Sequence, residues 1–221
     1  MKTNILLLIM ATTGLFSCGQ ASKSKPDAVD IETINSVRHY EYADAIGKRV
    51  IINNSLPKGT TYTAPNGKKY FKVIFWSRII NETDNPLEMN INFPVELYEV
   101  PGLPGNYYKI LVPPDTMTVD KEPLYDYGMT GLKSFLDNSI NKPSSIKRTI
   151  HPKESTGFYV VLLSLTTEIT PGSTMRTGLG VKGQNLVYKI SRYASKQGHP
   201  LLTEKEINCG SINLKNLVLQ K

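Results

Sequence analysis

Cys18, the last residue of Leu15-Phe16-Ser17-Cys18, is the side chain whose position carries a definite chemistry. It closes an apolar run over residues 5–11 and 14–16 that Lys2 precedes. Its thiol is the strongest nucleophile of the segment, and the residue before it, Ser17, is small. A permanent spanning helix needs about 20 apolar residues, and the polar stretch 22–30 ends the run well before that. Other candidates for chemistry are weaker. Gly178-Leu179-Gly180-Val181-Lys182-Gly183 has the spacing of a dinucleotide loop, but residues 185–190 after it alternate like a strand where a helix is required. These glycines read as thinning a strand. The three histidines, His39, His151 and His199, have no second His or Cys at ligand spacing, and the last two precede prolines. No zincin, nucleophile-elbow, phosphate-loop or EF-hand pattern occurs. The sequence therefore points to no catalytic residue, no metal and no cofactor.

With its charged start, short apolar centre and terminal cysteine, the segment resembles the lipobox signal peptide of bacterial lipoproteins. The resemblance covers about twenty residues and implies an address, not an activity. It implies removal of residues 1–17, acylation of Cys18 and attachment to a lipid bilayer through two or three fatty chains, which hold far better than one. It also implies an outer-membrane protein, and the absence of an acidic cluster directly after Cys18 points toward the periplasm. Residues 18–36 are polar, contain Pro26 and suit a flexible tether. Residues 37–221 are left for one domain, large enough to bury a core without staples.

Loss of residues 1–17 removes one lysine and leaves 25 basic against 19 acidic residues. The surplus sits in the C-terminal third, where residues 138–203 hold nine basic residues and only Glu154 and Glu168 as acids. A basic face of this kind suits anionic lipid or polyanion as well as plain solvation. Nucleic acid is not expected, because no recognition motif accompanies the charge. Cys209 is left without a partner cysteine; it sits on an alternating stretch with Ile207 and Ser211 and reads as a buried, inert thiol.

The elements that must position any site are strands. Residues 49–53, 60–63, 70–80, 87–93 and 109–112 alternate or carry β-formers, and turn chemistry at Pro65-Asn66-Gly67, at 81–86 and at 182–184 separates several of them. Pro86 suits the start of an edge strand. In 70–80, Phe71, Val73, Phe75 and Ile79 share one face while Lys72, Trp76 and Arg78 share the other, so the single tryptophan is expected beneath a loop. Residues 157–165 are apolar on both faces and read as a central strand, 175–181 and 185–191 as a hairpin, and 212–219 as the closing strand. The helical spacing of Met129, Leu132, Phe135 and Leu136 predicts one short helix over 130–138, capping the end of a sheet. Together these predict an all-β, antiparallel two-sheet sandwich that resembles immunoglobulin-like lipoprotein domains in general character.

Two binding regions follow. Tyr98, Tyr107 and Tyr108, on and beside the Pro/Gly-rich stretch 100–108, could present rings and backbone amides to a glycan or peptide. Lys147 and Arg148, in the basic stretch 142–153 between helix and central strand, could meet a lipid or polysaccharide surface. The expected function is a membrane-anchored envelope lipoprotein that binds or scaffolds a protein or glycan partner without catalysis, with the Pro86 strand as an edge onto which a partner strand could add. The alternatives are a glycan-binding accessory module using the tyrosine loop, or a hydrolase whose site would need a deep polar pocket containing a histidine or a close carboxylate pair.

Overall fold

The structure, a computed structural model, describes residues 38–43, 46–164, 173–194 and 201–213. The apolar run, Cys18, the tether, His199 and the end of the expected closing strand lie outside the described residues. No described helix is long and apolar enough to cross a membrane.

Among the described residues, twelve strands form two antiparallel sheets. They are β1 (Arg38–Ala43), β2 (Arg49–Asn54), β3 (Lys58–Thr63), β4 (Lys69–Asn81), β5 (Leu87–Phe93), β6 (Tyr98–Glu99), β7 (Tyr107–Leu111), β8 (Ser144–Ile150), β9 (Ser155–Ser164), β10 (Ser173–Lys182), β11 (Asn185–Ala194) and β12 (Leu201–Asn213). One helix, α1 (Leu132–Ser139), and two 3-10 turns, Val119–Lys121 and Tyr125–Gly128, lie between β7 and β8. The first sheet runs β1-β2-β4-β9-β7-β6, with β3 also paired to β4; the second runs β10-β11-β12-β5-β8. The expected two-sheet sandwich is therefore the fold. Phe75, Ile79, Val160 and Leu162 of the first sheet share the core with Met89, Phe93, Leu179 and Tyr188 of the second.

β4 is long enough to carry two strands on one edge. Asn54 of β2 pairs with Ser77, and Lys58 of β3 pairs with Ile74. Pro57, which has no N–H, lies in the break between them. The ladder is bridged there by Ser55, whose N–H donates to the Trp76 carbonyl (3.0 Å) and whose Oγ accepts the Trp76 N–H (2.8 Å).

The two sheets are joined along β10. An edge strand leaves alternate N–H and C=O groups unpaired. Here they are taken by side chains of the other sheet: buried Asn54 accepts the Leu179 N–H (2.8 Å) and donates to the Leu179 carbonyl (3.2 Å), and the Tyr42 hydroxyl accepts the Val181 N–H (2.7 Å). The glycines of the dinucleotide-like spacing lie in this seam. A Cβ at Gly178 would stand 3.1 Å from Arg38 Cδ, and one at Gly180 3.1 Å from the Tyr42 hydroxyl. They make room for side chains of β1 crossing the strand.

Four expectations need correction. β5, which Pro86 precedes, is interior, between β12 and β8, because β12 reaches far enough to pair with it. The basic stretch, to which the sequence pattern assigned no strand, contains the edge strand β8, with Lys147 exposed and Ile146 and Ile150 buried. The helix lies on the outer face of the first sheet, where Leu132 and Leu136 are buried, because the second apolar face of β9 must be covered. The last strand starts at Leu201, and a bulge at Gly210 puts Ile212, not Ser211, on the face of Ile207 and Cys209. Only glycine fits that bulge: its φ is 146°, and a Cβ would lie 1.9 Å from the Asn90 carbonyl oxygen. Cys209 is 1% exposed, and burial pushes its thiol up to about 12. The expected burial of Cys209 is found.

Replacing Asn54 by Asp removes both donors and sets a carboxylate against the Leu179 and Arg38 carbonyls. The expected loss is about 3 kcal/mol or more, against under about 0.5 kcal/mol for Asn92→Ala on the exposed face of β5. Urea unfolding of the two variants measures the difference.

Candidate functional site

The outer face of the first sheet alternates in character along β4. Tyr70, Ile74 and Trp76 are buried there with Val161 and Leu163 of β9, under a cap formed by the 113–143 segment. The cap inserts Met117, Tyr127, Leu132 and Leu136. The single tryptophan thus lies beneath a loop, 5% exposed, with its ring edge-on to Tyr127 (6.4 Å, 85°).

The cap is pinned where its backbone is strained. Asp126 (φ 47°, ψ 29°) and Tyr127 (φ 55°, ψ 34°) are left-handed and are followed by Gly128 at φ 62°. Non-glycine residues in this region cost of order 1 kcal/mol or more each unless their surroundings hold them. Lys72 supplies one such restraint, an ion pair to Asp126 of 2.6 Å between side chains only 9% and 15% exposed. The Tyr127 hydroxyl donates to the Leu56 carbonyl (2.6 Å), and Tyr159 donates to the Tyr127 carbonyl (2.8 Å). Lys58 lies 3.8 Å from the Tyr127 ring centre and donates to the carbonyls of Glu122 (2.9 Å) and Leu124 (2.7 Å).

Beside this cap the sheet face opens into a cleft of about 370 Å³, lined by His39, Asn53, Trp76, Arg78, Met117, Val119 and Glu122. Register explains the constellation. His39 pairs with Asn53, Asn53 with Arg78 and Arg78 with Gly157, so three side chains cross three strands in one row. At Gly157 the cap crosses the sheet, with the Met117 N–H on the Gly157 carbonyl (3.1 Å).

His39 Nδ1 meets Asn53 Oδ1 at 2.7 Å and Nε2 meets Glu41 Oε1 at 2.8 Å. Each nitrogen faces a side-chain oxygen, an arrangement that favours the protonated ring. The Glu41 hydrogen bond, followed by that from Asn53, raises its pKa above 6.5. Glu41 is lowered in turn, first by His39 and then by Arg49. Arg49 also holds Glu82 (2.7 Å). Arg78 donates from Nε (3.1 Å) and Nη2 (2.9 Å) to Ser155 Oγ, which leaves the far edge of the guanidinium unused. Among the described residues neither Arg78 nor the Glu122 carboxylate has an ion-pair partner, and the buried Trp76 Nε1 has no acceptor.

The sequence-selected tyrosines are not brought to one surface. Tyr98 and Tyr108 stack on each other (6.0 Å, 28°) against the sandwich core, Tyr108 being 2% exposed, while Tyr107 faces the opposite side of β7 at 38%. Lys147 and Arg148 line a second groove, of about 390 Å³, with Glu88, Asn90, Thr149 and Ser211. Arg148 donates to the carbonyls of Lys147 (3.3 Å) and Pro114 (3.4 Å), while the Lys147 side chain is exposed. Among the described residues no group of three or more metal-ligating side chains occurs. The cleft is what sequence reasoning missed. Trp76 and Arg78 were visible as the polar face of β4, but nothing in the pattern links them to Glu122.

Lys72→Met should cost about 3–5 kcal/mol by stranding Asp126. Adding Asp126→Asn, which keeps a residue tolerant of the left-handed turn, should return a large part of it. A urea-unfolding double-mutant cycle reads that coupling. A second outcome concerns pH. Because the folded pKa of His39 is raised, its contribution is complete below 6.5 while Glu41 stays ionised, and is lost as pH climbs through the folded value. The NMR titration midpoint of His39 should lie above 6.5, and the stability advantage over His39→Gln should shrink with rising pH across it.

Comparison of the chain with protein-family models, with curated proteins and with solved structures finds no match, so the chemistry of the site itself carries the functional reading.

Proposed function

We propose that this chain is a lipid-anchored envelope protein, held in the outer membrane through acylated Cys18 and facing the periplasm, whose sandwich recognises a protein or glycan partner without catalysing a reaction on it. The observation that carries the recognition reading is the cleft beside the pinned cap, a recess in which Arg78 and Glu122 have no ion-pair partner among the described residues. Concave sites with a few unpaired polar groups on a rigid frame are what ligands use. The non-catalytic reading rests on His39. Both of its ring nitrogens are engaged by its neighbours Asn53 and Glu41, which leaves neither turned to a substrate as a general base would be. A tether makes weak contacts useful, since protein and partner share one thin layer.

A photo-crosslinking residue in place of Val119, in cells expressing the full chain, should capture one dominant envelope component, and the capture should fall when Arg78→Met and Glu122→Gln are added. Capture of nothing, or capture indifferent to those changes, would contradict the recognition reading. The anchor is checked separately: Cys18→Ser should leave the membrane fraction or persist as an uncleaved precursor, and a correctly processed, membrane-bound Cys18→Ser protein would contradict it.

A further inference from the structure

Several charges around the cleft are paired. His39 is matched by Glu41, Glu41 also by Arg49, Arg49 by Glu82, and Lys121 by Asp115. Arg78 and Glu122 alone among the cleft's charged side chains are unmatched, and they do not pair with each other although they line the same recess. A ligand with a single charge would neutralise one of them and leave the other facing it across a partly desolvated space. A neutral sugar would neutralise neither.

We propose that the cleft takes a zwitterionic amino-acid unit of a peptide-like ligand, with its carboxylate on Arg78, its ammonium on Glu122 and its apolar part against Met117 and Val119. Ser155 occupies Nε and one N–H of Nη2, so the Nη1/Nη2 edge of the guanidinium is the one free for a two-point hydrogen bond to a carboxylate. Glu122 is held in place through its own backbone, whose carbonyl accepts from Lys58, which leaves the carboxylate for the ligand. Trp76 lines the floor of the cleft, two residues before Arg78 on the same face of β4, so the indole senses what is seated on Arg78. Val119, 53% exposed, supplies an apolar wall open to a side chain. This inference names the ligand chemistry for the recognition reading above and rests on it.

Trp76 is the chain's only tryptophan, so its indole N–H gives a single NMR signal that reports on the cleft. The test titrates the full chain with leucine, N-acetyl-leucine, leucine amide and glucose. Leucine should move the indole signal saturably, and masking either charge should weaken binding by about tenfold or more, the order expected when about 1.4 kcal/mol is lost. Glu122→Gln should remove the discrimination against N-acetyl-leucine, and Arg78→Met the discrimination against leucine amide; each is a change on the protein surface that leaves the cap pinned by Lys72. An indole signal unmoved by all the amino-acid probes at about 10 mM, weaker than the millimolar range of small-ligand affinities, overturns the assignment. So does equal response to free and masked forms, or response to glucose alone. If the amino-acid probes fail while the residue at position 119 still captures a partner, the zwitterion assignment falls and the recognition reading stands. If both fail, both fall.

Discussion

Asn54 makes four hydrogen bonds, the full capacity of its amide. Its oxygen accepts from the Leu179 N–H and the Ser77 hydroxyl (2.6 Å), and its nitrogen donates to the carbonyls of Leu179 and Arg38 (both 3.2 Å). These partners belong to β10, β4 and β1, so one 1%-exposed side chain ties the end of β2 to three strands and to the opposite sheet. Because those groups have no water to turn to, the bonds are obligatory. The rest follows from where this leaves β1. With Arg38, Tyr40 and Tyr42 laid over the glycines of β10, the alternating residues His39 and Glu41 must face the other way, onto the rim of the cleft.

The outer face of the first sheet is then divided between a dry part and a wet part. The dry part exists because β9 is apolar on both sides, and its second side requires the 113–143 cap. The cap reaches down to the sheet only by accepting two left-handed residues, and Lys72 with Asp126 holds them. Where the cap stops, at Gly157 and Met117, the sheet face returns to solvent with its polar residues still in register. The cleft is the boundary between the two, with one open charge, Arg78, on the sheet and the other, Glu122, on the cap.

Much of the frame was legible in the chain. Period-two alternation placed β4 and β5, Asn66-Gly67 marked the hairpin before β4, and the two-sided apolar run identified β9 as central. The shared face of Lys72, Trp76 and Arg78 was legible too, as was the burial of the indole. Most of what failed depended on which segment became whose neighbour. Pro86 begins a strand that is interior because β12 pairs with it, and alternation within β5 contains no information about that. Ser211 changed faces through a bulge forced by the approach of the Asn90 carbonyl to Gly210. The tyrosines looked like a surface cluster because they are adjacent in sequence, whereas Tyr107 and Tyr108, on a strand, must point to opposite sides. The cleft joins residues 39, 53, 78 and 122 through sheet register and the path of the cap, and neither leaves a local pattern.

The seam along β10 is most directly tested by native-state hydrogen exchange of the Leu179 and Val181 amides. Closed by Asn54 and Tyr42, both should exchange only through global unfolding, with the same protection free energy as the central strand β9. Exchange of either at the rate of an open sheet edge would mean that the two sheets are not joined there, and the positions of β1 and of the cleft rim would lose their basis.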